Sequence, residues 1–319
     1  MDLHLLLDNL TNPALLFFFL GIIAVQLKSD LEIPPNSSKF ISLYLLLSIG
    51  FKGGQELAHS DLNLEILWSL LFGIALALIV PIYSYFILRR KFSVANSGAI
   101  AAAYGSVSAV TFVTAISFLE INKIPFSGHM VAVMALMEAP SIIIGLLLIS
   151  MYDKNNPVKF SVGKVLKHAL TNGSVLLILG SLVVGFLASE EQAQGIKPFT
   201  TDLFKGFLAV FLLDMGITSG KKLSSFLKKG WFALVFAIVI PIINGVIVAF
   251  VSAAFTESVG NRLLFAILAA SASYIAVPAA MRLAAPKANP SLYLPMALAI
   301  TFPFNITLGM PLYLFIIQL

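Results

Sequence analysis

The chain has 319 residues, 59% of them hydrophobic and 11% charged, with a net charge of +5 and a mean hydropathy of +0.97. Soluble globular domains carry about 25% charged residues, so composition excludes that class and points to a polytopic membrane protein. The absence of cysteine excludes disulfides and thiolate metal sites, and the modest positive charge, spread over many loops, does not point to nucleic acid.

Continuous apolar runs approaching the ~20 residues that cross a bilayer as a helix recur throughout. They lie at 13–27, 40–57, 62–88, 94–119, 127–151, 171–188, 199–219, 231–254, 258–281 and 291–317. The runs do not alternate, which excludes an outer-membrane barrel. Ahead of the first run, Asp2, Asp8 and the lack of a basic leading segment argue against a cleavable signal. Polar and turn signals separate the runs: Ile33-Pro34-Pro35-Asn36, Asp153 to Pro157, Glu190-Glu191-Gln192 and Pro286 to Pro290. The longest connection, 153–170, has room for a short amphipathic piece and divides a first five-span unit, 1–152, from a second, 171–319. Lys and Arg stay on the cytoplasmic side of the inner membrane. With ten spans, 15 of the 20 fall on one face, among them Arg89, Arg90, Lys91, Lys221 and Lys222. The other face receives Lys52, Lys123, Lys197, Lys205 and Arg262. The expected placement is a multi-pass inner-membrane protein with both termini outside the cytoplasm.

Motifs of the first unit recur in the second at a nearly constant offset. Leu47, Gly50, Gly54 and Leu57 form L-x-x-G-x-x-x-G-x-x-L, and Leu213, Gly216, Gly220 and Leu223 repeat it 166 positions on. Gly105-Ser106-Val107-Ser108 returns as Ala270-Ser271-Ala272-Ser273, Asn96 as Asn261 and Pro125 as Pro290, each offset by 165. Five spans is an odd number, so the second unit enters the membrane from the opposite side, the inverted repeat of many secondary transporters. The glycine patterns suit close helix packing. The Ser-x-Ser pairs, near Gly105 and Pro278, interrupt spans four and nine, and such interruptions are tolerated only against protein or a wet cavity. The predicted fold is all-α: ten transmembrane helices in two inverted five-helix repeats, with broken helices in spans four and nine.

The second half-helices are expected to begin at 106–108 and 271–273. Serine caps a helix start well, and the free N–H groups and partial positive charge of that end attract anions. Two such starts with four hydroxyls suit a small oxyanion without Arg or Lys. Carbonyls freed at the breaks suit a cation such as Na+, and Thr111 and Thr114 add hydroxyls. Charged groups within spans are costly and functional by default, which makes Glu138, in Met137-Glu138-Ala139-Pro140 of span five, the candidate for ion coupling or proton exchange. Lys52 and Asp214 are expected at different depths, near cavities or interfaces and not paired with each other. Asn244 and Asn305 are expected to be interhelical hydrogen bonders. His4, His59, His129 and His168 stand apart, and no catalytic triad, phosphate loop or metal-ligand cluster appears, so no enzyme is expected.

From Asn12-Pro13-Ala14-Leu15 to the last span the chain resembles the sodium-dependent bicarbonate transporter family first known from cyanobacteria. The telling stretches are Ile49-Gly50-Phe51-Lys52-Gly53-Gly54, Gly105-Ser106-Val107-Ser108, Met137-Glu138-Ala139-Pro140 and Pro286 to Leu292. The resemblance implies a core of spans three to five and eight to ten, a gate of spans one, two, six and seven, a homotrimer and elevator-like alternating access. It also places bicarbonate and Na+ where spans four and nine cross. Substrate contacts are implied at Gly105, Ser106, Val107, Ser108, Ser271, Ala272, Ser273 and Tyr274, and ion coupling at Glu138, Thr111 and Ser273, with no cofactor beyond the coupling ion. In span nine the family's Ser-Ser-Ser-Asp is replaced by Ser271-Ala272-Ser273-Tyr274, which implies weaker dependence on Na+ and a coupling role for protons through Glu138. The family's acid in span seven falls on Thr218, one turn after Asp214. The long middle loop of cyanobacterial members that have a PII-like regulator shrinks to 152–169. The expected activity is Na+-coupled bicarbonate uptake. The alternatives are another organic or inorganic anion, or cation or proton exchange, on the same architecture, and a transporter-like membrane sensor.

Overall fold

A computed structural model describes residues 9–59, 64–153, 161–164, 167, 171–226 and 230–319. Asp2, His4, Asp8, His168 and most of the 153–170 connector lie outside the described residues.

Among the described residues every regular element is a helix. In α1 (Pro13–Gln26), Asn12 accepts the Ala14 amide and Pro13 presets the first turn; α2 (Pro35–Ala58) also opens on proline. Then come α3 (Leu64–Leu88), α4 (Val94–Gly105), α5 (Ala109–Ile121) and α6 (His129–Tyr152). The second half contains α7 (Gly173–Leu187), α8 (Glu190–Lys197), α9 (Phe204–Phe226), α10 (Trp231–Val251), α11 (Val259–Ala270) and α12 (Ala276–Ala284). It closes with α13 (Pro290–Ile317), which carries π-helical turns at Met296–Thr301 and Asn305–Gly309. Glu190-Glu191-Gln192, expected as a bare connection, is the first turn of α8. Ser189 and Gln192 form a capping box there, and the Ser-x-x-Gln spacing encodes it.

Six helical runs among the described residues are long and apolar enough to cross a membrane, and three shorter apolar helices, α1, α7 and α11, accompany them. On α10, Val235, Val239, Ile243 and Ile247 are exposed at helical spacing. So large an apolar face belongs in lipid rather than water, and the architecture is that of a polytopic helical membrane protein.

Glycine sets the closest helix pairs. α1 lies along α9, where a Cβ on Gly21 or Gly216 would strike the facing backbone, and α2 lies along α7, where Gly54 and Gly185 do the same. Gly50 faces Ile178 and Ser181 across the same α2–α7 seam. The glycine motifs of spans two and seven are therefore packing surfaces. The remaining long helices form two groups, α3 with α4 and α6, and α10 with α11 and α13. The broken helices knit these groups together: α5 packs on α11, and α12 on α4 and α6. Asn96 and Asn261 make matching contacts between the halves. Asn96 Oδ1 accepts the Asn289 amide and Asn261 Oδ1 accepts the Ser127 amide, both at 2.8 Å.

Candidate functional site

Each break closes one helix before another opens. Ser106 is the C-cap of α4, and its amide donates to the Ala102 carbonyl at 3.0 Å. Ser108 is the N-cap of α5, its Oγ accepting the Thr111 amide at 3.1 Å. Gly105 is forced by its surroundings, since the Pro81 ring of α3 and the Ser141 hydroxyl of α6 occupy the space of a Cβ. In the second break Ser271 caps the end of α11, and α12 starts only at Ala276. That start is later than the expected 271–273. Ile275 supplies no side-chain cap, and Ser273 Oγ accepts the Val277 amide at a long 3.5 Å.

The two interrupted segments bond directly to each other. The Ser108 amide donates to Ser271 Oγ at 3.1 Å, and the Ser273 amide to the Ala103 carbonyl at 2.8 Å. Three of the carbonyls freed at the breaks, where the sequence suggested a cation, already accept protein donors: Ala103, Ala269 and Ala270. Asn244 Nδ2 donates to Ala269 at 3.0 Å and Asn305 Nδ2 to Ala270 at 2.8 Å, while Ser141 Oγ adds a second bond, at 2.9 Å, to the Ala102 carbonyl that the Ser106 amide already meets. Asn244 and Asn305 are thus interhelical hydrogen bonders. A second tier supports this crossing. Pro241 cannot bond back to Ala237, and the Thr301 hydroxyl takes that carbonyl at 2.7 Å while receiving the Tyr104 hydroxyl at 2.7 Å. Asn305→Leu would leave the Ala270 carbonyl bare in a dry core, at a cost of about 1–3 kcal/mol. It should therefore lower the thermal unfolding midpoint of the purified protein, and an unchanged midpoint would show that this carbonyl finds another donor.

A small cavity lies beside the crossing, ≈ 20 Å³, enough for about one water. Its wall includes Val107, Ser108, Ser273 and Tyr274 from the breaks, Glu138 from α6, and Ser42, Asn172, Ser174 and Phe211 from α2, the start of α7, and α9. Ala109, Val110 and Ala276, at the two half-helix starts, also line it; first-turn amides have no acceptor within their own helix. Glu138 is 8% exposed and its Oε2 has no partner. Among the described residues no Lys or Arg lines the cavity. The sequence candidates divide accordingly. Val107, Ser108, Glu138, Ser273 and Tyr274 meet at the cavity, whereas Gly105, Ser106, Thr111, Ser271 and Ala272 are buried in its supporting walls. The hydroxyls of Ser106 and Thr111 are buried without partners. Ser42, Asn172 and Ser174 escaped the sequence reading. Asn172 caps Ser174 at 3.0 Å, a helix-start signal that says nothing about what the turn faces.

Three larger spaces lie near the cavity: one of ≈ 910 Å³, which shares Asn172, Ser174 and Ile275 with its wall, and two vestibules that carry carboxylates. One vestibule, ≈ 610 Å³, holds Ser38, Asp214, Thr218 and Lys221 and shares Ser42, Ser174, Phe211, Tyr274 and Ile275 with the cavity wall. The other, ≈ 770 Å³, holds Lys52, Glu120, Lys123 and Lys197 and shares no wall residue with it. Lys52 Nζ pairs with Glu120 at 3.0 Å and lies 5.3 Å from the Phe204 ring centroid, joining α2 to the far end of α5. Asp214 accepts from Ser38 across α9 and α2. Lys52 and Asp214 are therefore unpaired with each other, and each borders a cavity.

Among known protein families, a model of the Na+-dependent bicarbonate transporter superfamily matches residues 13–318. A search of curated proteins returns no match. The match spans nearly the whole chain, so the chain belongs to this superfamily and is a transporter, not an enzyme.

Proposed function

We propose that this member of the Na+-dependent bicarbonate transporter superfamily is a secondary active transporter that takes up a small anion, bicarbonate first, together with Na+ or a proton. The cavity at the Ser-x-Ser crossing carries the reading. It is lined by Ser108 and Ser273 and by first-turn residues of two helices, and among the described residues no Lys or Arg lines it. Helix starts supply the positive potential that an oxyanion needs, and Glu138 on the same wall is the group that holds the accompanying cation or proton.

Ten spans in two inverted repeats are supported by the equivalent breaks at Ser106–Ser108 and Ser271–Ile275 and by the reciprocal contacts of Asn96 and Asn261. The two glycine-packed pairs, α1–α9 and α2–α7, are the gate of the proposal, and the helices around the crossing are its moving core. The 15-to-5 partition of Lys and Arg supports termini outside the cytoplasm. The vestibule of Asp214 and Lys221 then opens to the cytoplasm, and that of Lys52 and Glu120 to the outside. Elevator movement of the core breaks the Lys52–Glu120 pair, because α5 carries both Glu120 and the site's Ser108.

Labelled-bicarbonate uptake into proteoliposomes, with and without a Na+ gradient, tests the proposal. Ser108→Ala and Ser273→Ala should each raise the half-saturating concentration about tenfold or more, since a hydrogen bond to a charged group contributes about 1.5–3 kcal/mol. Unchanged affinity in both variants would move the anion elsewhere.

A further inference from the structure

The cavity and the Asp214 vestibule share part of their walls. Tyr274 stands on the stretch between α11 and α12 and belongs to the walls of both spaces. Its ring lies edge-on to Phe302 of α13, 6.3 Å between centroids, and its hydroxyl reaches Met215 Sδ of α9 at 3.8 Å. A thioether is a weak acceptor, so the Met215 contact is a light latch beside the interaction of the phenol with the Ser108 side chain. The bend that carries Tyr274 is anchored only at Ser273, whose amide donates to the Ala103 carbonyl and whose Oγ accepts the Val277 amide at a long 3.5 Å, while Ile275 supplies no side-chain cap. The Lys52 vestibule shares no wall residue with the cavity, and the ≈ 910 Å³ space shares Asn172, Ser174 and Ile275 but not Tyr274.

We infer that Tyr274 is the inner gate of the cavity: its ring, latched on Met215, closes the site toward the Asp214 vestibule and limits the size of anion that passes. This rests on the reading of the cavity as the anion site, but the gate itself is measurable without transport. The residues fit a swinging plug. The ring bridges the broken helix to α9, and Ser42, Ser174, Phe211 and Ile275 form the frame around it on both sides.

The chain contains no cysteine, so a single introduced thiol reports access unambiguously. Val113 lines the cavity but not the vestibule. In a Val113→Cys background, modification by a small cationic methanethiosulfonate should be slow with Tyr274, modestly faster with Tyr274→Phe, which keeps the ring but loses the hydroxyl latch, and at least tenfold faster with Tyr274→Ala. Met215→Ala, which leaves the extended stretch untouched, should give a smaller acceleration. Equal rates in all four proteins, each eluting as folded material, would overturn the gate. In uptake assays Tyr274→Ala should make bicarbonate transport sensitive to competition by propionate, to which the parent is indifferent. Faster labelling without that competition would overturn the size limit. Failure of the parent to carry bicarbonate would sink the anion reading while the labelling rates still decide the gate.

Discussion

Glu138→Gln is expected to abolish accumulation driven by a cation gradient while sparing anion binding. The carboxyl is buried on the cavity wall with one oxygen unpartnered, and no Lys or Arg shares that wall among the described residues. An anion entering beside an ionised carboxylate would meet a like charge. At about 5 Å and an effective dielectric near 20 that repulsion is about 3 kcal/mol, and neither charge has a basic partner to offset it. Under the proposed function the occupied site would therefore require a proton or Na+ at Glu138, and this requirement would couple the two fluxes. Glutamine keeps the shape and imitates the neutralised carboxyl. Gradient-driven uptake should fall at least 100-fold, whereas exchange of internal for external bicarbonate should persist within several-fold, and Glu138→Asp should retain coupling. Imposing a Na+ gradient at fixed pH and a pH gradient without Na+ separates the two ions. Tyr274→Asp, which adds a carboxylate at the cavity mouth, should steepen the dependence on Na+. Normal gradient-driven accumulation by the Glu138→Gln protein would remove Glu138 from coupling.

How much of this was legible in the sequence depends on whether a feature is local. The breaks at Gly105 to Ser108 and around Ser271 were readable, because small residues and hydroxyls in an apolar run have few other uses at membrane depth. The start of α12 was not, because serine at 273 suggests a cap that the backbone delays to Ala276. Helix α8 was missed although Ser189-Glu190-Glu191-Gln192 spells its capping box, since charge next to apolar runs reads first as a loop. Partners far apart in the chain were beyond periodicity, which gives depth but not direction. Lys52 finds Glu120 68 positions away, and the Ala270 carbonyl that seemed free for a cation is taken by Asn305. The cavity wall shows the same limit: Ser108 and Ser273 were predicted, while Ser42 and Ser174 come from helices whose orientation only packing decides.

Gly54→Ala and Gly216→Ala should each destabilise the protein severely for their size. A methyl on Gly54 would meet the Leu182 carbonyl and the Phe186 amide nitrogen, and one on Gly216 the Phe18 carbonyl, with Gly21 Cα at 3.2 Å. These are backbone atoms of a facing helix, so no rotamer change relieves the clash and the pair must separate. Membrane helices associate through such close contact rather than through a hydrophobic drive, and separation loses dispersion along the whole seam. Overpacking typically costs about 1–3 kcal/mol, and backbone-on-backbone contact places these two at the upper end. The seams α2–α7 and α1–α9 are distinct, so the double variant should lose nearly the sum of the two effects. Gly180 and Gly206 have nothing within 4 Å of a Cβ, and their alanine variants should be neutral or slightly stabilising, since alanine is the better helix former. Thermal unfolding of the parent and the five variants in one detergent makes the comparison. A neutral Gly54→Ala would mean that the α2–α7 seam is looser than its glycines indicate, and the rigid gate built on it would fall with it.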